Sequence, residues 1–384
     1  MHLALVIQSV RVVRGGAERF THNLIRGLLA RGHRISVVCY EWDREAEELG
    51  IELIRVPRLR GWGHPWYEFS RSAWRVMPRC DVVVGLTQVC PQDVHRLGGG
   101  IYRYWYERKY GRWLPLQLLR RDVRGALAFE REMYREGNYR QCIAISAMDR
   151  ELLMRYYGIP GERVHTVYNG FDREVFHGRG REEARRELCM QYGIEEGQVI
   201  VLFAGNNYVR KGLPQGVEAL LRTKDPGRFT LVVIGRPQLG VKRRLQARCA
   251  GRVRSIWLDH VEDPARYYRG ADVLLFPTLY DSFANVIGEA LCCGLPVITT
   301  RQAGGAEMIE PGVNGFVVRE ADAVDELAYA LERVREPEVR AAMTARAGMR
   351  VEACTIARCA EETERVLWLA WEEKQRMRRA GEVG

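Results

Sequence analysis

Three groups of residues in this 384-residue chain have types and spacings that can do chemistry. The most highly charged is Arg210-Lys211-Gly212, which follows Gly205 and a short polar run. Two cations beside a flexible residue at a helix start offer a diphosphate charge-assisted donors of two geometries, a planar fork and a compact ammonium. Only Lys109, Lys211, Lys224, Lys242 and Lys374 occur among 59 basic residues, so a lysine at this spot is informative. The second group runs from Asp281 through Ser282, Phe283, Ala284 and Asn285 to Glu289. A strand ends before it, the polar loop turns, and a helix begins near Ala284. Asp281 can accept hydrogen bonds from sugar hydroxyls, the backbone amides of 283–286 can face an anion, and Glu289 can take both hydroxyls of a ribose diol. The plainer readings are a helix-capping acid at Asp281 and a buried partner acid at Glu289. The third group is Gly15-Gly16 ahead of a helix over 17–31, with Glu18 in its first turn. The glycines let backbone approach a ligand closely, and the helix N-terminus presents unpaired N–H groups. Such a pair is also ordinary punctuation before a helix.

These residues must be positioned by an alternation of strand and helix. β-Branched runs recur at 3–7, 35–39, 81–84 and 141–145, then at 199–203, 230–234, 253–257, 273–276 and 297–299. Helical stretches such as 17–31 and 216–222 lie between them. Near-continuous apolar strands imply parallel sheets covered on both faces, the doubly wound α/β class. In such sheets ligands sit beyond the carboxyl ends of the strands, where both glycine-bearing loops fall. The series starts twice, near residues 3 and 199, with a polar Gly/Arg stretch at 177–181 that reads as a linker. The expectation is two Rossmann-like domains, 1–176 and 177–354, facing across a cleft. A terminal segment, 355–384, forms a helix that crosses back to the first domain.

Composition narrows the function classes. Apolar residues at 47% and charged residues at 28% exclude a mainly disordered chain, collagen or a small disulfide scaffold. The longest apolar stretches, 290–298 and 366–371, fall well short of the ~20 residues of a membrane span. The apolar run at 3–7 is shorter than a secretory core of about 7–15 residues, so the expected location is the cytoplasm. Ten cysteines without CxxC or zinc spacing read as reduced thiols. A net charge of +10 suits anionic partners such as nucleotides, anionic lipid or nucleic acid. No compact nucleic-acid recognition motif is present. Arginines interleave with aromatic residues at 58–79 and again at 101–124. That pattern favours an anionic membrane surface or glycolipid acceptor, against the alternative of aromatics packed on the core beneath solvated arginines.

The chain resembles the retaining glycosyltransferases of family four, the group 1 glycosyltransferases with the GT-B fold. The resemblance rests on Gly15-Gly16-Ala17-Glu18, Val167-Tyr168-Asn169-Gly170-Phe171-Asp172, Arg210-Lys211-Gly212 and the Asp281 to Glu289 spacing. Gly294-Leu295-Pro296-Val297, Gly304-Gly305-Ala306-Glu307 and Gly312-Val313-Asn314-Gly315 extend it. It implies an acceptor-binding first domain and a nucleotide-sugar-binding second domain. Arg210 and Lys211 would hold the diphosphate, Glu289 the ribose, and Asp281 the sugar. Gly15, Gly16, Arg173, Gly205, Ser282, Phe283, Ala284 and Asn285 join the donor-binding set. The implied chemistry retains the anomeric configuration, with the leaving diphosphate taking the acceptor proton. No metal is expected, because the cationic loop supplies the charge and the chain has no Asp-x-Asp pair. Two departures stand out: Asp281 replaces the usual glutamate, and Gly98-Gly99-Gly100-Ile101-Tyr102 lacks the histidine or aspartate that many relatives carry there. Tyr102, a main-chain carbonyl or Glu18 remain as groups near the acceptor hydroxyl. The organisation is closest to lipopolysaccharide-core glucosyltransferases, implying a UDP-hexose donor, a lipid-linked or lipopolysaccharide-core acceptor and peripheral attachment to the inner face of the cytoplasmic membrane. The competing readings are a sugar-nucleotide epimerase of the same fold, a basic non-catalytic binding protein and a catalytically dead scaffold.

Overall fold

The computed structural model describes residues 1–10, 16–58, 64–236 and 238–381, with backbone only at 16–19. It divides into two compact units, Met1–Gly170 with Ile356–Gly384, and Phe171–Thr355.

The first unit is built on a seven-stranded parallel sheet. Its order is Glu52–Arg55, Arg34–Cys39, His2–Val6, Val82–Gly85, Val94–Arg96, Gln141–Ala144 and Val164–Thr166. Leu3, Leu5, Val37, Val82 and Val84 are buried on one side of it, and Ala4, Val6, Val38 and Val83 on the other. Burial on both faces is what their near-continuous apolar runs demand. The long helix Ile356–Arg379 belongs to this unit and buries Cys359, Val366, Leu367 and Ala370 in the sheet's core. It crosses the helix Gly16–Ala30 so closely that a Cβ on Gly27 would lie 2.6 Å from the Ala360 methyl. Lys374 fixes its far end, donating to Asp93 Oδ2 at 2.7 Å and to the Asp81 carbonyl at 2.9 Å.

The second unit has a six-stranded parallel sheet in the order Arg254–Leu258, Phe229–Ile234, Val199–Ala204, Val273–Phe276, Val297–Thr300 and Gly315–Val318. Numbered along the chain within the unit, the order is 3-2-1-4-5-6. It reverses direction between Val199–Ala204 and Val273–Phe276, which pair through Val201 with Val273 and Leu202 with Leu274. The loops leaving the carboxyl ends of these two strands diverge there, and open α/β sheets bind ligands at that point.

Several boundaries differ from the sequence expectations. Glu52–Arg55, Val94–Arg96, Val164–Thr166 and Gly315–Val318 are strands that the apolar pattern did not single out. Each has only three or four residues, and most carry charged or polar side chains, too little for periodicity to register. The helix expected over 216–222 starts at Leu213, where Pro214 fits the first turn and Gly212 caps it in a left-handed conformation. The stretch 177–181 runs directly into the helix Arg181–Tyr192. The unit boundary falls at Gly170 rather than 176. Phe171 is already core of the second unit: its ring stacks on Phe283 with centroids 6.1 Å apart and lies over Gly288.

Candidate functional site

The residues of the two loops at the second sheet's reversal point converge. The loop after Ala204 carries Asn207 to Gly212, and the loop after Phe276 carries Pro277 to Asp281. The two are stitched by backbone: Leu279 N–H donates to the Arg210 carbonyl at 2.9 Å, and Thr278 Oγ1 donates to the same oxygen at 3.0 Å. The Arg210 guanidinium returns a bond to the Tyr280 carbonyl at 3.3 Å. Arg210 is therefore held at both ends of its residue, with its charge at the loop surface. Gly212 makes the approach possible. Its φ is +77°, and a Cβ there would sit 1.7 Å from the Pro277 carbonyl oxygen.

Lys211 points inward from this seam. Its stem passes Gly205, where an added Cβ would lie 3.6 Å from Lys211 Cγ, and its ammonium stands 5.0 Å from the centre of the Phe276 ring. Nζ donates to Asp281 Oδ2, and Arg210 Nη1 lies 3.9 Å from the same oxygen. Burial first, and the Arg210 cation second, push the Lys211 pKa well below its ordinary value. The Asp281 carboxylate opposes both and compensates the buried charge. Two cations thus share one acid, with the Lys211 ammonium and the Asp281 carboxylate largely buried and the Arg210 guanidinium more exposed.

The other oxygen of Asp281 is used locally. Oδ1 accepts from Ala284 N–H at 2.8 Å and from Phe283 N–H at 3.3 Å. The capping-acid reading of Asp281 is the one seen here: it closes the turn before the helix Asn285–Cys292, as short acidic side chains do. Ala284 itself is left-handed at φ +61°. Ser282 is buried, with its hydroxyl 3.5 Å from that of Tyr280. Phe283 is the ring stacked on Phe171. Glu289 is buried within the helix, and Tyr268 donates its hydroxyl to Oε2 at 2.9 Å. Arg173 reaches the end of that helix, donating to the Cys292 sulfur at 2.9 Å.

The fold therefore brings together Gly205, Arg210, Lys211, Asp281, Ser282, Phe283, Ala284 and Asn285 around one loop junction and its helix start. Glu289 lies on that helix, and Arg173, from the turn after Phe171, reaches its end. Gly15 and the side chain of Glu18 lie outside the described residues, and Gly16 is the first residue of its helix. In the first unit, Tyr102 begins the helix Tyr102–Tyr110, and its N–H donates to Glu130 Oε1 at 2.7 Å. Thr278, Tyr268 and Phe276 escaped the sequence reading. Nothing in their local pattern separates them from core residues, and only strand order puts them beside the charged loop.

Two family models match the chain, Glycosyltransferase Family 4 over residues 14–175 and Glycosyl transferases group 1 over 198–336. The chain belongs to the group 1 glycosyltransferases of family 4. It is 24% identical over 325 residues to the lipopolysaccharide glucosyltransferase WaaG of Escherichia coli K12, covering 83% of this chain and 86% of that one. It is 28% identical over 333 residues to a probable transglycosylase of Burkholderia thailandensis, covering 85% of each. The crystal structure of WaaG superposes with a TM-score of 0.82 at 22% identity, over 95% of this chain and 99% of that one. The structure of Anabaena HepE in complex with UDP-glucose gives a TM-score of 0.73 at 17% identity, over 96% and 99%. These likenesses establish the GT-B class, two Rossmann-like domains each on a parallel sheet. This family 4 glycosyltransferase keeps its charged loop where the group 1 model matches, within 198–336.

Proposed function

We propose that the protein is a retaining, metal-independent hexosyltransferase that moves a hexose, glucose in the first instance, from a UDP-sugar to a lipid-linked or lipopolysaccharide-core oligosaccharide. The observation that carries this reading is the Arg210–Lys211 pair gathered on Asp281 at the second sheet's reversal point. An incoming diphosphate takes over the two cations that Asp281 holds, and Glu289, oriented by Tyr268, receives the ribose. The bond from the anomeric carbon to the diphosphate oxygen breaks. The acceptor oxygen bonds to that carbon on the same face and gives its proton to the departing diphosphate. Catalysis is then mainly neutralisation of developing charge together with positioning. The first unit is assigned the acceptor. Trp113, Leu116 and Leu119 are exposed there by 57, 56 and 77% among Arg112, Arg120 and Arg121, which suits peripheral contact with the inner face of the cytoplasmic membrane. Among the described residues no helix is long and apolar enough to cross a membrane. WaaG is named a lipopolysaccharide glucosyltransferase and HepE binds UDP-glucose, and both agree with the chosen donor and acceptor classes.

The test is a thermal-shift panel of UDP-, GDP- and ADP-sugars, followed by turnover with the best binder in the presence of EDTA. UDP-glucose stabilises most and EDTA leaves turnover unchanged. A preference for GDP- or ADP-sugars, or donor interconversion without acceptor, overturns the assignment.

Two narrower results follow from the geometry. Tyr268→Phe removes one hydrogen bond to a carboxylate, worth about 1–2 kcal/mol. It raises KM for the UDP-sugar about fivefold to thirtyfold and leaves kcat nearly unchanged, read by steady-state kinetics. UDP affinity also depends on pH with a definite sign. UDP binds the protonated Lys211, whose pKa is lowered, so affinity falls on the alkaline side with a midpoint well below the ordinary lysine value of 10.5. Arg210→Gln removes a cause of the lowering and moves that midpoint upward. Calorimetric titrations across the alkaline range check both, and a midpoint that does not move removes the coupling.

A further inference from the structure

The second unit contains a cavity of about 420 Å³ at the end of its sheet away from the charged loop junction. Asp272 lines it and precedes the strand Val273–Phe276. Its Oδ2 accepts from Ile200 N–H at 2.7 Å, at the amino end of the strand Val199–Ala204. The charged loops leave the carboxyl ends of these same two strands, about 16 Å away at the rise of a strand. Arg181 and Arg185 reach the cavity from the helix Arg181–Tyr192, Arg269 from Pro264–Gly270 and Arg340 from Pro337–Arg346.

Four guanidiniums here face two carboxylates, Asp272 and the exposed Glu182, leaving an excess of two positive charges. Two of the four are largely spent within the fold. Arg185 Nη1 donates to Asp272 Oδ2 at 2.5 Å and its Nη2 to the Gln198 carbonyl at 2.8 Å. Arg181 donates to the carbonyls of Ala271 and Cys293, both at 3.0 Å. The other two keep donors in hand. Arg340 Nε lies 3.3 Å from Asp272 Oδ1, and Nη1 donates to the Val334 and Arg335 carbonyls at 2.9 and 3.1 Å. Its Nη2 makes no hydrogen bond among the described residues. The Arg269 side chain is only 18% exposed, yet among the described residues its guanidinium makes no hydrogen bond. Its ion-pair partner Asp263 stands 3.6 Å away, is exposed, and accepts from Arg266 N–H. A guanidinium withdrawn from most of its water with its donors unmet is costly, and an anion in the cavity meets them.

We propose that this cavity binds an oligophosphate anion, pyrophosphate at its smallest, with Arg269 and Arg340 as the principal donors. Planar guanidiniums match phosphate oxygens in fork geometry. The size of the cavity lies within the range of small-molecule sites, and a single phosphate of five non-hydrogen atoms fills only a minor part of it. The remaining wall is glycine, alanine, proline and threonine. It offers no aromatic ring to stack a base and no large apolar side chain for an acyl chain, so recognition rests on the phosphates themselves. Free pyrophosphate and the phosphate tail of a nucleotide share that chemistry. The site is independent of the donor reading, because none of its residues belongs to the charged loop junction.

The test is calorimetric titration of the full-length protein with pyrophosphate, ATP and inorganic phosphate, without divalent cations, in the absence and presence of saturating UDP. Two variants change the cavity. Arg269→Gln removes the unmet donor, and Ala341→Glu places an acid on the wall at an exposed helical position while leaving every arginine hydrogen bond intact. Arg248→Gln and Ala247→Glu, exposed positions on the helix Leu239–Cys249, make the same changes of charge elsewhere in the unit. Pyrophosphate binds with UDP present, weakens about tenfold or more in each cavity variant, and weakens about twofold or less in each control. ATP bound more tightly than pyrophosphate, and lost in the same two variants, supports the site with a nucleotide as its source. No pyrophosphate or ATP binding, binding abolished by UDP, equal losses in cavity variants and controls, or inorganic phosphate bound as tightly as pyrophosphate, overturns the proposal. Melting temperature and UDP affinity are recorded for every variant. A folding defect or a failed donor reading is thereby separated from a failed cavity assignment.

Discussion

Lys211→Ala lowers turnover at least about 10²-fold, the scale measured when one preorganised donor to a developing oxyanion is removed. In the proposed reaction the diphosphate gains charge as its bond to the sugar breaks, and the cations that meet it must already be in place. Lys211 is in place by construction. Its stem is confined between Gly205 and the Phe276 ring, and its ammonium is held on Asp281 before any ligand arrives. Alanine removes that charge from a site shielded from water, where a free cation from solvent is a poor replacement. It also leaves Asp281 facing the incoming diphosphate with only Arg210 to offset it, at 3.9 Å. The defect therefore appears in both donor affinity and kcat, with the larger part in kcat because the charge grows on the way to the transition state. Lys211→Arg recovers charge but not shape, since the planar guanidinium does not fit the channel of a linear stem. Near-normal turnover in the alanine variant, measured with saturating donor, removes Lys211 from the mechanism.

Gly212→Ala has the largest expected effect on stability. The residue is left-handed, which costs a non-glycine residue about 1–3 kcal/mol, and the new methyl carbon would overlap the Pro277 carbonyl oxygen at 1.7 Å. Backbone lies on both sides, so no side chain can rotate away. Relief requires parting the loop after Ala204 from the loop after Phe276, which breaks the bonds that Leu279 N–H and Thr278 Oγ1 make to the Arg210 carbonyl. A loss of about 3 kcal/mol or more is expected, in the range reserved for strain and overpacking at special backbone sites. Thermal unfolding of the purified variant reads it directly. UDP binding is lost with it, because the same seam sets the position of both cations. A variant that melts like the parent protein shows that the seam yields.

Much of the site was legible because charge and spacing are local properties. Arg210-Lys211-Gly212 at a helix start, and two acids separated by a turn of loop and about one turn of helix, show their chemistry in the order of their letters. The use to which the fold puts them was less legible. Asp281 carried two readings, a group for sugar hydroxyls and a helix-capping acid, and in the structure it takes the amides of 283 and 284 on one oxygen and Lys211 on the other. Both readings fit the same residues, and what separates them is a backbone turn at Ala284 with φ +61°, which no local pattern at an alanine announces. Tyr268 was invisible for a different reason. It sits 21 residues before Glu289 on another helix, and a tyrosine in an amphipathic segment is usually packing.

The amino-acid order by itself determined the class of the protein. Apolar runs without alternation require strands covered on both faces, and their recurrence from two starting points requires two such sheets. Tertiary structure decided the rest, because the order 3-2-1-4-5-6 brings the ends of strands beginning at Val199 and Val273 side by side. Hydrogen bonds between strands carry no record of sequence separation. Only their pairing could place a cation pair from one loop against an acid from a loop some seventy residues later.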